Sequence, residues 1–129
     1  QLHGGESPQY ARALSRPAIV VRRVAERVPW EALREYAAWA YLLDSYAPGA
    51  LGGTGKTWRW EALGDAPASF GRLIVAGGLT PENVAQVVAT SRPWGVDVSS
   101  GVERSPGRKE PARVADFIEQ AKGAVSCVS

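Results

Sequence analysis

Short apolar, β-branched runs alternate along this chain with longer stretches of helical period, and no other feature restricts the fold as much. Strands that recur only after a helix-length segment cannot pair as hairpins. They must lie parallel, with each helix crossing over the sheet. The runs Ala18 to Val24, Ala40 to Asp44, Leu73 to Ala76 and Gly95 to Ser99 read as strands. Between them, Pro29 to Ala38 places Trp30, Leu33 and Tyr36/Ala37 on one helical face, and Val84, Val87 and Val88 form the stripe of another. Ser7 and Pro8 suit the first turn of a helix over about Gln9 to Leu14, and Thr80-Pro81-Glu82-Asn83 reads as a similar start. Trp58 to Leu63 reads as a short helix, and Pro111 to Lys122 as the last one, with Val114, Phe117, Ile118 and Ala121 at core spacing. The class is α/β, with about five βα units if Gln1 to Gly4 is the end of a strand. Periodicity leaves an open doubly wound sheet and part of a (β/α)8 barrel equally available.

Composition narrows the chemistry. In 129 residues there is room for one core, and 45% hydrophobic against 22% charged residues is the balance of a globular domain. The net charge of +2 comes from scattered basic residues and leaves no nucleic-acid footprint. One cysteine, Cys127, and one histidine, His3, exclude an internal disulfide and leave too few ligands for a Cys/His zinc site. No run approaches the length of a membrane span and no signal peptide opens the chain, so the expected location is the cytoplasm. The first residue is Gln1 rather than Met, and the chain reads as a fragment.

Candidate site residues cluster at the carboxyl ends of the strands, where α/β proteins build their ligand crevices. Asp44 closes an apolar run there; its alternative reading is an aspartate capping a turn. Asp97 alternates with Val96 and Val98 and so points away from their face, into the interior if the sheet is a barrel. A carboxylate there is costly unless paired or engaged with ligand. Gly77-Gly78 and Ser100-Gly101 each follow a strand directly, and two such loops on neighbouring strands can offer backbone N–H groups to a phosphate. His3 can line a site or serve structure. The run Pro48 to Thr57 contains Gly55-Lys56-Thr57 but lacks the earlier glycine of a P-loop, since Ala50 stands in its place. A glycine-rich loop that closes over a substrate is the better reading, beside a merely flexible surface loop.

Taken together, Gln1-Leu2-His3-Gly4, Leu42-Leu43-Asp44-Ser45, Gly52 to Thr57, Ala76-Gly77-Gly78-Leu79-Thr80-Pro81-Glu82-Asn83-Val84 and Arg92 to Glu103 resemble the phosphoribosylanthranilate isomerases of tryptophan biosynthesis, and the match continues through Pro106-Gly107-Arg108-Lys109. The resemblance implies a TIM-type (β/α)8 barrel of which residues 1–123 are the carboxyl-terminal part, from the end of the fourth strand onward, with 124–129 as an unstructured tail. It implies an Amadori rearrangement without a cofactor or metal. Asp44 is then the general acid, Asp97 and His3 contact substrate, and Gly77, Gly78, Ser100 and Gly101 hold its phosphate. The family's general base, a cysteine in a Lys-Ile-Cys-Gly motif, and an arginine for the anthranilate carboxylate have no counterpart in these 129 residues. The fifth strand usually carries a lysine where this chain has Val20. A second reading is a noncatalytic phosphate-binding half-barrel. Either form would need an amino-terminal complement or a homodimer to cover its strand edges.

Overall fold

The computed structural model describes residues 1–24, 27–44, 63, 66–67 and 69–126. Its centre is a four-stranded sheet of β1 (Ile19–Arg23), β2 (Ala40–Asp44), β3 (Leu73–Ala76) and β4 (Gly95–Val96), in that spatial order and parallel throughout. Leu2 adds a parallel bridge to Val20 outside β1: its N–H donates to Ile19 O and its carbonyl accepts from Val21 N, both at 2.9 Å. The terminal Gln1-Leu2-His3 segment thus continues the sheet beyond β1.

Among the described residues four helices accompany the strands: α1 (Pro8–Ala13), α2 (Trp30–Arg34), α3 (Val84–Ser91) and α4 (Pro111–Ser126). Ser7 caps α1 as its sequence suggests, its hydroxyl accepting from Tyr10 N at 3.1 Å. Helix α2 is shorter than the periodicity of residues 29–38, ending before Ala37, whose φ of 47° is left-handed. Helix α4 runs to Ser126, so the segment read as a tail is helical at least that far. Residues 127–129, with Cys127, the loop over 48–57, and the helix expected over 58–63 apart from buried Leu63 lie outside the described residues.

The pleat sorts the strand side chains into two sets. Val20, Tyr41, Leu43, Leu73 and Val75 pack against the helices in one core with Leu33, Leu79, Val84, Val87, Val88, Val102 and Phe117. The opposite face carries a smaller cluster of Val21, Leu42 and Ala76, flanked by Ile19 and Ile74. The apolar stripe of α3 is buried as its spacing predicts, and in α4 Phe117 is buried as well. Ile118, at core spacing too, is 47% exposed and belongs to the surface.

Beyond β4 the chain departs from the strand expected over residues 95–99. Asp97 N still donates to Val75 O at 2.8 Å, extending the ladder by one bond. Ser99 then leaves extended geometry, and Ser100–Val102 forms a single 3-10 turn. An antiparallel hairpin follows, β5 (Glu103–Ser105) and β6 (Arg108–Lys109), turning at Pro106-Gly107 with Gly107 at φ 76°.

Candidate functional site

Register puts the carboxylates in one row. Arg23 on β1, Asp44 on β2 and Ala76 on β3 are level with one another, and Asp97 continues the row one residue past β4. Asp44 shares its pleat parity with Leu42, and so lies on the face away from the helices. The same holds for Asp97, because Val96 and Val98 both pack against the helix-side core. Leu2 packs there too, which leaves Gln1 and His3 on the other side. His3 Nε2 lies 2.9 Å from Gln1 Oε1. Asp44, Asp97 and His3 therefore share one face of the sheet, the two carboxylates at or beyond the carboxyl ends of their strands and His3 level with Val21, two residues short of that row. Asp44 is half-buried, whereas Asp97 is exposed, so the burial cost expected for a carboxylate in a barrel interior does not apply to it among the described residues.

Val20 lies on the wrong face for the role that its position suggested. It is fully buried beneath the helices, so no side chain there could reach the row of carboxylates. The strand's arginines divide by parity. Arg23 falls in the row with Asp44, while Arg22 turns to the helix side, stacks its guanidinium 4.7 Å from the Tyr36 ring centroid and donates to Tyr36 Oη.

The two glycine loops meet. Gly77 and Gly78 adopt φ of 87° and 66°, a backbone that an L-residue enters only with strain, and this lets the chain fold sharply off β3. Asn83 pins the turn, its Oδ1 accepting from Thr80 N and its Nδ2 donating to Gly78 O, both at 2.9 Å. This is the reach-back bond of a capping box, made by asparagine at the usual Glu/Gln position, although regular α3 begins only at Val84. The turn holding Gly101 presses on the same segment. A Cβ added at Gly101 would lie 1.8 Å from Leu79 O and 2.9 Å from Leu79 C. Only glycine permits this backbone-to-backbone approach.

Two charged side chains that the sequence reading did not single out hold the loops. Lys109 Nζ donates to Ser99 O at 2.8 Å and to Glu103 Oε1 at 2.8 Å, tying the hairpin to the end of the β4 segment. Glu103 also accepts from Gly107 N; the Lys109 bond first, and this one second, hold its carboxyl below the ordinary range. Arg113, in the first turn of α4, donates to Gly101 O from Nε at 3.2 Å and Nη2 at 3.0 Å. The same guanidinium pairs with Glu82, at 3.2 Å from Nη1 and 3.3 Å from Nη2. The Glu82 carboxyl is likewise lowered, chiefly by the Thr80 side chain, with its own N–H and Arg113 contributing.

At the other end of the sheet, Trp39 and Trp94 pack edge to face at 5.3 Å beside Arg72, in a shallow groove with Tyr41 and Phe70. No group of His, Cys, Asp and Glu among the described residues could hold a metal ion, and no described helix is long and apolar enough to cross a membrane.

Known proteins share this arrangement. The chain is 50% identical over 123 residues to the N-(5'-phosphoribosyl)anthranilate isomerase of Geobacter sulfurreducens, a match covering 95% of this chain and 60% of that protein. Among solved structures, phosphoribosyl anthranilate isomerase from Thermotoga maritima superposes with a TM-score of 0.72 at 36% identity, covering 89% of this chain and 55% of that one. The enzyme from Thermus thermophilus gives 0.71 at 32% identity, covering 99% and 60%. The chain thus spans about 60% of the length of the curated relatives it matches. The family model of N-(5'phosphoribosyl)anthranilate (PRA) isomerase matches residues 1–120, and the chain, with its parallel α/β sheet, belongs to that family.

Proposed function

We propose that this chain is the carboxyl-terminal portion of a (β/α)8 barrel, about five of its eight βα units, and that it supplies the general acid and the phosphate site of an isomerase acting on N-(5'-phosphoribosyl)anthranilate. The observation that carries the reading is the meeting of the two glycine loops beyond β3 and β4, adjacent to the strand that ends in Asp44. Such loops bring backbone N–H groups close to an anion without a side chain in the way. Gly77, Gly78, Ser100 and Gly101 would hold the substrate phosphate and so fix the ribose relative to the carboxylate row. Asp97 and His3, on that face, would contact the rest of the substrate.

Asp44, in its protonated form, gives its proton to the ribose ring oxygen as the bond from that oxygen to the anomeric carbon breaks. The nitrogen lone pair forms the C=N bond of the opened iminium. A base then removes the proton from the adjacent carbon, and the resulting enolamine tautomerises to the ketone. Proton and electron pairs balance within the substrate, so no redox partner enters. No Lys-Ile-Cys-Gly segment occurs in these 129 residues, so the base belongs to an amino-terminal complement, which would also cover the strand edges at Leu2 and β4. An enzyme of this biosynthetic class would work in the cytoplasm.

Calorimetric titration of the chain with an unreactive carboxyphenylamino-deoxyribulose 5-phosphate analogue tests the phosphate site, and saturable binding is expected. When the amino-terminal βα units of a relative are added in trans, activity should appear. In that complex Asp44→Asn, which keeps shape but delivers no proton, should lower turnover by about 10² to 10⁴ with little change in substrate affinity. Normal turnover by Asp44→Asn would return Asp44 to a turn-capping role. Binding without complementable activity would favour the noncatalytic half-barrel.

A further inference from the structure

We propose that Arg113 is a positioning residue for the anion site, locking the Ser100–Gly101 loop to the Gly77–Gly78 loop so that the two present their N–H groups as one rigid unit. The inference rests on the reading of these loops as the phosphate site and adds to it the part that holds them together.

The two loops come from different strands and, apart from van der Waals contact at Gly101 and Leu79, need something to fix their relative position. One guanidinium does so. Its Nε and Nη2 both donate to Gly101 O, while Nη1 and Nη2 face the two oxygens of Glu82. Glu82 is joined directly to Asn83, whose amide grips Gly78 O and Thr80 N. From Gly101 to Gly78 the chain of contacts is therefore continuous. It also has an electrostatic sense. A carbonyl oxygen turned toward a phosphate would repel it, and Arg113 draws the Gly101 carbonyl toward α4, occupying its lone pairs. The following N–H, that of Val102, donates back to Ser99 O at 3.5 Å and closes the same turn, so the loop is held from both sides of that peptide. Only a planar fork with several donors can serve a carbonyl and a carboxylate at once, so lysine is no substitute.

A purely electrostatic role for Arg113 and the positioning role predict opposite outcomes at Glu82. Removing the negative charge with Glu82→Gln leaves Arg113 unneutralised, which by charge alone strengthens binding of an anion. If Arg113 acts by positioning, loss of its carboxylate partner loosens the brace and weakens binding. Glu82 is well exposed, so this variant does not threaten the fold.

The experiment is a titration of inorganic phosphate into the 129-residue chain, followed through the backbone N–H resonances of Gly77, Gly78, Ser100 and Gly101. Thermal unfolding is measured in parallel. Wild type should show saturable shifts at all four. Arg113→Ala and the charge-conserving Arg113→Lys should both weaken phosphate by about 5- to 10-fold, within the net contribution of one ordinary hydrogen bond. Glu82→Gln should weaken it by about 2- to 5-fold, and the Arg113→Ala/Glu82→Gln pair should be less than additive. Wild-type affinity in Arg113→Lys, or tighter binding in Glu82→Gln, would overturn the positioning role while leaving the phosphate loops standing. A wild-type chain with no shift at the four residues would overturn the loop reading itself.

Discussion

Replacing Gly101 by alanine isolates a single physical quantity, the space between two backbones. The new Cβ would start 1.8 Å from Leu79 O and 2.9 Å from Leu79 C, with Thr80 Cγ2 at 3.2 Å. Real Cβ atoms essentially never come nearer than 3.0 Å to another heavy atom, so the loops must part by about 1.2 Å. Nothing there can rotate aside, because the nearest atoms are backbone and Leu79 is itself buried in the helix-side core. Overpacking of this kind costs about 1 to 3 kcal/mol. At roughly 4 °C per kcal/mol for a domain of this size, the melting temperature should fall by about 4 to 12 °C. The separation would also spoil the proposed anion cradle, so phosphate affinity should drop in the same variant. Gly71→Ala is the control: nothing lies within 4 Å of its added Cβ, and its stability should stay within about 0.5 kcal/mol of wild type. Gly78→Ala tests a different cost, since its surroundings are open but its φ is +66°; the expected loss is about 1 kcal/mol, from backbone strain alone. Circular-dichroism melting of the three variants decides the matter. If Gly101→Ala melts with the wild type and binds phosphate equally well, the two loops are not in contact and the reasoning fails.

Two further outcomes can be read on the chain. Gly123→Ala, in the interior of α4 with open space around the new methyl, should raise stability by about 0.5 to 1 kcal/mol through helix propensity, measured by urea unfolding. The Glu103 carboxyl, held below its ordinary value of 4.5 by Lys109 and then by Gly107 N–H, stabilises the folded form fully above that value and ceases to do so as pH falls through its lower folded value. Melting temperatures followed downward from neutral pH should therefore show an acid loss that is smaller in Glu103→Gln, and an identical profile in that variant would count against the hairpin tie.

The strands and caps were legible where a local rule coincides with the tertiary demand. Residues 40–43 and Leu73–Ala76 are apolar on both faces because both faces are covered, and Ser7 caps α1 whatever surrounds it. Local rules fall short where a distant contact sets the backbone. Gly95 to Ser99 has the composition of a five-residue strand, yet the ladder ends near Asp97 because Gly101 must reach Leu79. The hairpin of Glu103–Ser105 and Arg108–Lys109 escaped because its residues are polar on both faces. Its one local signal was the Pro106-Gly107 turn. The place of Val20 in a motif points to the site, but the pleat turns it to the helix side.

The site divides along the same line. Glycine pairs announce themselves, because few other roles require them directly after a strand, and Asp44 and Asp97 stand out as carboxylates within apolar runs. Arg113 and Glu82 look like ordinary charged residues of helical surfaces, and their partners lie 12 and 31 residues away. One signal was nevertheless present. The first turn of α4 contains no acidic residue and places Arg113 where the helix dipole is positive, an arrangement disfavoured by about 0.3 to 1 kcal/mol. A residue set against the dipole requires compensation elsewhere. Here the compensation is a carbonyl and a carboxylate held in one fork, and the loops that they join are those through which this chain is proposed to grip its substrate.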